Sequence, residues 1–157
     1  MEDILKKFNL SYENYTWFDC ESFDDCDNYI GLFEELLRVS AFRITLENIQ
    51  WQEGWSEGKE SYLAEVSFDY KSHTQTIKVS CDGWFDPDLI INLNSIIDIN
   101  NDFEERFYPI ETGDQTLIIA FLNMQQYSEL RKNNLIADIK KYTLRKDDKW
   151  DTLRIAK

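Results

Sequence analysis

A single histidine, His73, stands in the whole chain, so an imidazole-based triad has one candidate base. No Ser, Cys or acidic motif frames it, and a strand-end histidine near solvent is the plainer reading. Cysteine is scarce as well: Cys20, Cys26 and Cys81 are an odd number, with no Cys-x-x-Cys or His-Glu-x-x-His spacing to hold zinc. A Cys20–Cys26 disulfide is conceivable, but reduced, buried thiols in a cytoplasmic protein suit the pattern better. The five glycines, Gly31, Gly54, Gly58, Gly83 and Gly113, are scattered, so no phosphate-cradling loop of Walker or dinucleotide type is present. With only two prolines besides, collagen-like, linker-like and wholly disordered chains are excluded. No apolar run approaches the roughly 18 to 20 residues needed to span a bilayer. The start, Met1-Glu2-Asp3-Ile4-Leu5-Lys6-Lys7, lacks the basic stretch, apolar run and small-residue cleavage site of a signal peptide. Basic residues are outnumbered, 17 against 30 acids, and the net charge of −13 repels phosphate backbones. Neither nucleic acid nor a membrane is an expected partner.

What is present suits a folded domain. Hydrophobic residues make up 43% of 157 and aromatics 15%, enough for one core and too little chain for two, so 1–157 reads as a single domain. Residues 27–38 place Ile30, Phe33, Leu36 and Leu37 on one side at helical spacing, opposite Glu34 and Glu35, despite Gly31 in the middle. Segment 42–51 is β-rich. Residues 61–70 alternate, Tyr62, Ala64, Val66, Phe68 and Tyr70 against Glu65, Ser67 and Asp69, and His73 to Cys81 alternates after a tight turn at Lys71-Ser72. Asp86, Pro87 and Asp88 form a helix start, with cap, first-turn proline and dipole-matched acid. The helix should run over 87–99 and bury Leu89, Ile90, Leu93, Ile96 and Ile97. Two strands, 106–111 and 115–122, follow around Thr112-Gly113-Asp114. Pro109 marks an edge strand, and the unbroken apolar run of the second marks a central one. Residues 124–133 read as a helix, and 135–156 as a hairpin turning at Asp147-Asp148 or a frayed helix. The expected class is α+β, a mostly antiparallel sheet of about five strands with helices packed on it.

Charge is unevenly placed. From Ser11 to Leu37 there are eight acids, Glu13, Asp19, Glu21, Asp24, Asp25, Asp27, Glu34 and Glu35, and no Lys or Arg. From Asp82 to Asp114 nine acids face Arg106 alone, whereas Arg131 to Lys157 carries nine bases and four acids. Tyr12, Tyr15, Trp17, Phe18, Phe23, Tyr29, Trp84 and Phe85 lie inside the acidic segments. Carboxylates steer a basic partner while Trp and Tyr anchor the centre of an interface, so the mixture suits protein recognition. Glu21, Asp24, Asp25 and Asp27 are the candidate steering groups, with Asp86 and Asp88 beside them in charge. Trp17, Phe23, Trp84 and Phe85 are the candidate anchors. The plainer alternative is a solvated acidic face over an aromatic core.

Carboxylates alone do not make a catalytic or calcium site. The run Glu21 to Asp27 and the stretch around Asp82 to Asp88 both lack the glycine and terminal glutamate of an EF-hand loop. A rival reading joins Glu53, Glu57 and Asp86 to Trp51, Trp55 and Trp84 as a small carboxylate-based or glycan-binding enzyme. An adaptor subunit of a cytoplasmic complex is the other rival.

In size, acidity and α+β order the chain resembles the small acidic cytoplasmic immunity proteins of bacterial polymorphic toxin and contact-dependent growth inhibition systems. The residues that carry the likeness run from Asp86-Pro87 through Asn92-Leu93-Asn94 to Phe107-Tyr108-Pro109. Gly113-Asp114-Gln115-Thr116, ahead of an apolar strand, completes it. The resemblance implies a non-enzymatic inhibitor, without cofactor or metal, that binds a cognate toxin domain. Many such toxins are basic nucleases, which matches the charge. The family class has no invariant motif, so no residue role transfers from it, and oligomeric state is left open.

Overall fold

The computed structural model describes residues 2–100 and 103–138. Its class is α+β, as the patterning implies, but among the described residues the strands number six and form two antiparallel three-stranded sheets. The chain runs α1 (Glu2–Lys7), β1 (Tyr15–Asp19), α2 (Cys26–Val39), β2 (Glu47–Trp55), β3 (Tyr62–Tyr70) and β4 (His73–Ser80). It continues through α3 (Asp88–Asn100), β5 (Arg106–Ile110), β6 (Thr116–Leu122) and α4 (Met124–Lys132). One sheet has the order β1-β6-β5 and the other β2-β3-β4.

The outer edge of β4 is closed at its last residue. Ser80 points its backbone N–H and C=O away from β3, where another strand would pair. The N–H donates to Asp86 Oδ2 at 2.8 Å, and the C=O accepts from the Tyr29 hydroxyl at 2.6 Å. From there the chain turns into α3, and β5 joins β6 in the other sheet. Asp86 caps the helix as its position implies, accepting from the Asp88 N–H at 2.8 Å, and Leu89, Ile90, Leu93, Ile96 and Ile97 are the buried face.

The hairpin between β3 and β4 turns at Lys71 and Ser72, both with positive φ, the mirror-image turn that matches strand twist. Strand β2 begins later than the β-rich segment 42–51 suggests, because Ala41 and Phe42 take positive φ in a turn and a register shift interrupts pairing between Glu47 and Gln50. Helix α2 also turns a different face inward. Tyr29, Leu32, Phe33, Leu36 and Val39 are buried, while Ile30 and Leu37 sit at the rim, because α2 touches strands of both sheets.

From Leu117 onward strand β6 is apolar because both its faces are covered. Leu117, Ile119 and Phe121 join α2, α3 and the inner face of the second sheet in the main core. Ile118, Ala120 and Leu122 meet Leu5, Leu10 and Leu130 in a smaller cluster beneath α1 and α4. Pro109 lies on the outer edge of β5, where no N–H is needed for the ladder. Residues 135–137 run along that edge, and residues 139–157, which hold most of the hairpin-or-helix segment, lie outside the described residues. Among the described residues no helix is long and apolar enough to cross a membrane.

The three cysteines are free and buried. Burial first, and then Asp19, pushes the Cys20 thiol up to about 12. Burial and neighbouring acids push Cys26 up to about 11, and burial followed by Cys26 pushes Cys81 up to about 12. Native protein at pH 8 is therefore expected to leave all three unreactive towards a thiol-specific disulfide reagent, and protein in denaturant to titrate three. The fold keeps these protons at pH values where an unfolded chain has lost them. Stability is thus complete below about pH 9 and falls as pH rises towards 12. Unfolding curves that do not shift across that window would show that the thiols are exposed.

Candidate functional site

The first acidic segment folds into two neighbouring elements, β1 and α2, with a tight connection between them. Glu21 N–H and Ser22 N–H turn back onto Asp19, and Asp25 caps α2 by accepting from the Asn28 N–H at 3.2 Å. Between the two elements runs an open groove of about 770 Å³. Every residue of β1 lines it, and α2 contributes Asp27, Asn28, Gly31, Glu34 and Glu35 on successive turns. The lining has four carboxylates, Asp19, Asp27, Glu34 and Glu35, and no Lys or Arg.

At one end Arg38 closes the groove. Its guanidinium donates to Glu35 Oε2 and to the carbonyl oxygens of Tyr12 and Tyr15, and it stacks on the Tyr12 ring at 4.0 Å from the centroid. This clamp ties the entry to β1 onto α2. Glu35 is thereby neutralised, which leaves Asp19, Asp27 and Glu34 as the exposed charges. Trp17 stands out of β1 with 63% of its surface exposed, an apolar group amid the carboxylates.

Nine of the ten residues singled out from sequence part into two sets, with Trp84 between them. Trp17, Glu21, Asp24, Asp25 and Asp27 are on the surface at or beside the groove. Phe23, Phe85, Asp86 and Asp88 are buried, and they serve the interior instead of presenting a surface. Phe23 and Phe85 pack edge-on against Phe18, and Phe23 against Tyr29, while Asp86 is the buried cap described above. Trp84 is half-buried against the core, and its carbonyl lies within reach of the Tyr29 hydroxyl. Sequence alone does not separate these sets, since an aromatic beside acids has the same pattern whether it points in or out.

The two acidic segments do meet. Phe23 and Gly83 exchange backbone hydrogen bonds at 3.3 and 3.0 Å, and the Phe85 N–H donates to the Cys20 carbonyl at 2.8 Å. Gly83 has φ +100, a conformation that favours glycine, and a Cβ there would crowd Asp24 Oδ1 at 3.3 Å, which that exposed side chain could relieve by moving. The rival carboxylate set lies outside the groove. Glu53 accepts from the Cys26 N–H at the start of α2, Trp51 packs on Phe33, Trp55 on Tyr62, and none of Glu53, Glu57 and Asp86 lines the groove. His73 is exposed at the β3–β4 turn. Among the described residues no group of three or more His, Cys, Asp or Glu side chains is placed to hold a metal.

No protein-family model, curated protein or solved structure matches the chain. The groove is accordingly read from its own geometry. Among the groove residues that the sequence does not single out, Asp19, Asn28, Gly31 and Glu34, only Gly31 carries a signal of its own. Gly31 in a helix interior weakens the helix by roughly 1 kcal/mol relative to Ala, yet a Cβ there would meet nothing within 4 Å. Nothing inside the fold requires a glycine at that place.

Proposed function

We propose that the protein is an immunity protein that binds and neutralises a cognate bacterial toxin domain, a basic nuclease, through the acidic, aromatic-lined groove between β1 and α2. The observation that carries this reading is the lining itself: exposed Trp17 and the carboxylates of Asp19, Asp27 and Glu34, with no basic residue among them. Such a surface attracts a positively charged partner from a distance and offers an aromatic group to desolvate on contact. The same charge repels nucleic acid, so a nuclease active site built to receive phosphates would accept this protein in its substrate's place.

Co-expression with the product of the adjacent gene tests the reading. Growth inhibition by that product is expected to be relieved, and the two proteins to purify as a stoichiometric complex. Replacing Asp27 and Glu34 together by Lys should slow association on the order of tenfold at low salt and flatten its salt dependence. A neighbour whose toxicity persists with this protein in excess would sink the proposal.

A further inference from the structure

The outer edges of the β1-β6-β5 sheet are treated differently, and the difference points to how a partner binds. On β5, the outward-facing groups are covered in turn. Phe107 N–H and C=O are both taken by the Asn94 side-chain amide at 2.9 Å, the Pro109 carbonyl accepts from the Ala137 N–H, and the Glu111 N–H donates to the Leu135 carbonyl. On β1, hydrogen bonds from Phe121 N–H to the Asn14 carbonyl and from Cys20 N–H to the Gln115 carbonyl set the ladder's parity. Thr16 and Phe18 therefore pair with β6, and Tyr15, Trp17 and Asp19 turn their backbone groups outward. Arg38 occupies the Tyr15 carbonyl and the Ser22 N–H the Asp19 carbonyl. Trp17 N–H and C=O, with Tyr15 N–H and Asp19 N–H, have no partner among the described residues.

We infer that β1 is a docking edge, which takes an extended basic segment of the partner as an added antiparallel or parallel strand in the groove against α2. Unpaired strand edges recruit a further strand unless something guards them. The second sheet ends on β2, which carries a bulge between Glu47 and Gln50, and on β4, whose last residue is taken by Asp86 and Tyr29, and neither edge lines the acidic groove. Five residues of β1 offer about 17 Å of edge at roughly 3.3 Å per residue, enough for a short strand. Asp19, Asp27 and Glu34 select a segment with Lys or Arg at alternate positions, and Gly31 leaves room for its side chains. A second copy of this chain is a poor occupant, because it would set these carboxylates against their own kind. The inference rests on the toxin-binding reading for the partner's identity, but its test does not.

The probe is a seven-residue peptide alternating Lys and Val, added to the full chain, with amide hydrogen exchange read residue by residue. Exchange at Tyr15, Trp17 and Asp19 is expected to be fast in free protein and to slow about tenfold or more with peptide, while Thr16 and Phe18 stay protected throughout. The same peptide N-methylated at alternate residues should lose binding, since it keeps the charge and loses the pairing edge. Gly31→Leu should fill the groove, weaken peptide binding about tenfold or more and leave the protein folded, with an unchanged or raised melting temperature. Equal binding of the N-methylated peptide, no binding of the parent peptide, or protection of Tyr15, Trp17 and Asp19 without any peptide would each overturn the inference. The last result would mean self-association or an occupant from the chain itself. Growth rescue by the protein combined with unprotected β1 amides in the toxin complex would overturn it while leaving the toxin-binding reading intact.

Discussion

Replacing Phe85 by Ala is expected to lower the free energy of unfolding by about 3–5 kcal/mol, measured as a fall in the denaturant midpoint. The ring is 1% exposed and packs edge-on against Phe18 at 5.0 Å and, tilted, against Phe23 at 5.4 Å between centroids. Phe23 in turn packs on Tyr29 at 4.7 Å, so deletion opens a cavity where β1, α2 and the turn before α3 converge. Trp17 is the control. It comes from the same kind of acidic, aromatic sequence, but with 63% of its surface in solvent Trp17→Ala should change stability by about 0.5 kcal/mol or less. Its cost should appear in partner binding, as a faster dissociation worth about 2 kcal/mol if Trp17 anchors the interface. Similar stability losses for both variants would mean that Trp17 is covered in the folded protein.

The second large effect is expected at the junction of Tyr29, Ser80 and Asp86. Asp86→Ala removes both the cap on α3 and the partner of the Ser80 N–H, and should cost roughly 2–4 kcal/mol, about 1 from the cap and the rest from a buried donor. Asp86→Asn should recover little, because one oxygen can still cap Asp88 while the amide nitrogen meets the Ser80 N–H as a second donor. Tyr29→Phe acts on the same groups from the other side. Its hydroxyl donates to the Ser80 carbonyl at 2.6 Å and accepts from the Asp86 N–H at 3.0 Å, and its loss should cost about 2–4 kcal/mol. The double variant should cost less than the sum by on the order of 1 kcal/mol, since each change already loosens the other's partner. Strict additivity in a double-mutant cycle would show that the two side chains act independently.

Where periodicity is strong and short-ranged, sequence and structure agree. The alternation of Ala64, Val66, Phe68 and Tyr70, the turn at Lys71-Ser72, the cap at Asp86 and the buried face of α3 are all local, since each depends on residues within a few positions. The edge placement of Pro109 and the central placement of β6 were equally legible, the first from a missing N–H and the second from an apolar run that only a doubly covered strand tolerates. Strand β1 was not legible. Tyr15 to Asp19 is too short to show a period, and its partner is Thr116 to Ala120, about a hundred positions along. The division into two sheets was hidden for the same reason, because it turns on β1 pairing with β6 about a hundred positions away.

By itself the sequence determined the chemistry available: acidic, aromatic, poor in histidine and cysteine, and folded into the α+β class by its alternating and helical apolar patterns. Only the tertiary structure decided which of its aromatics and carboxylates face outward. Composition sets how much apolar area must be buried, but which side chain fills the interior depends on long-range strand pairing that no local pattern encodes. Phe23, Phe85, Asp86 and Asp88 went inside because β1 and the turn at Gly83 close over them. Trp17, Asp19, Asp27 and Glu34 were left around an open strand edge because α2, clamped by Arg38, stands beside β1 without covering it.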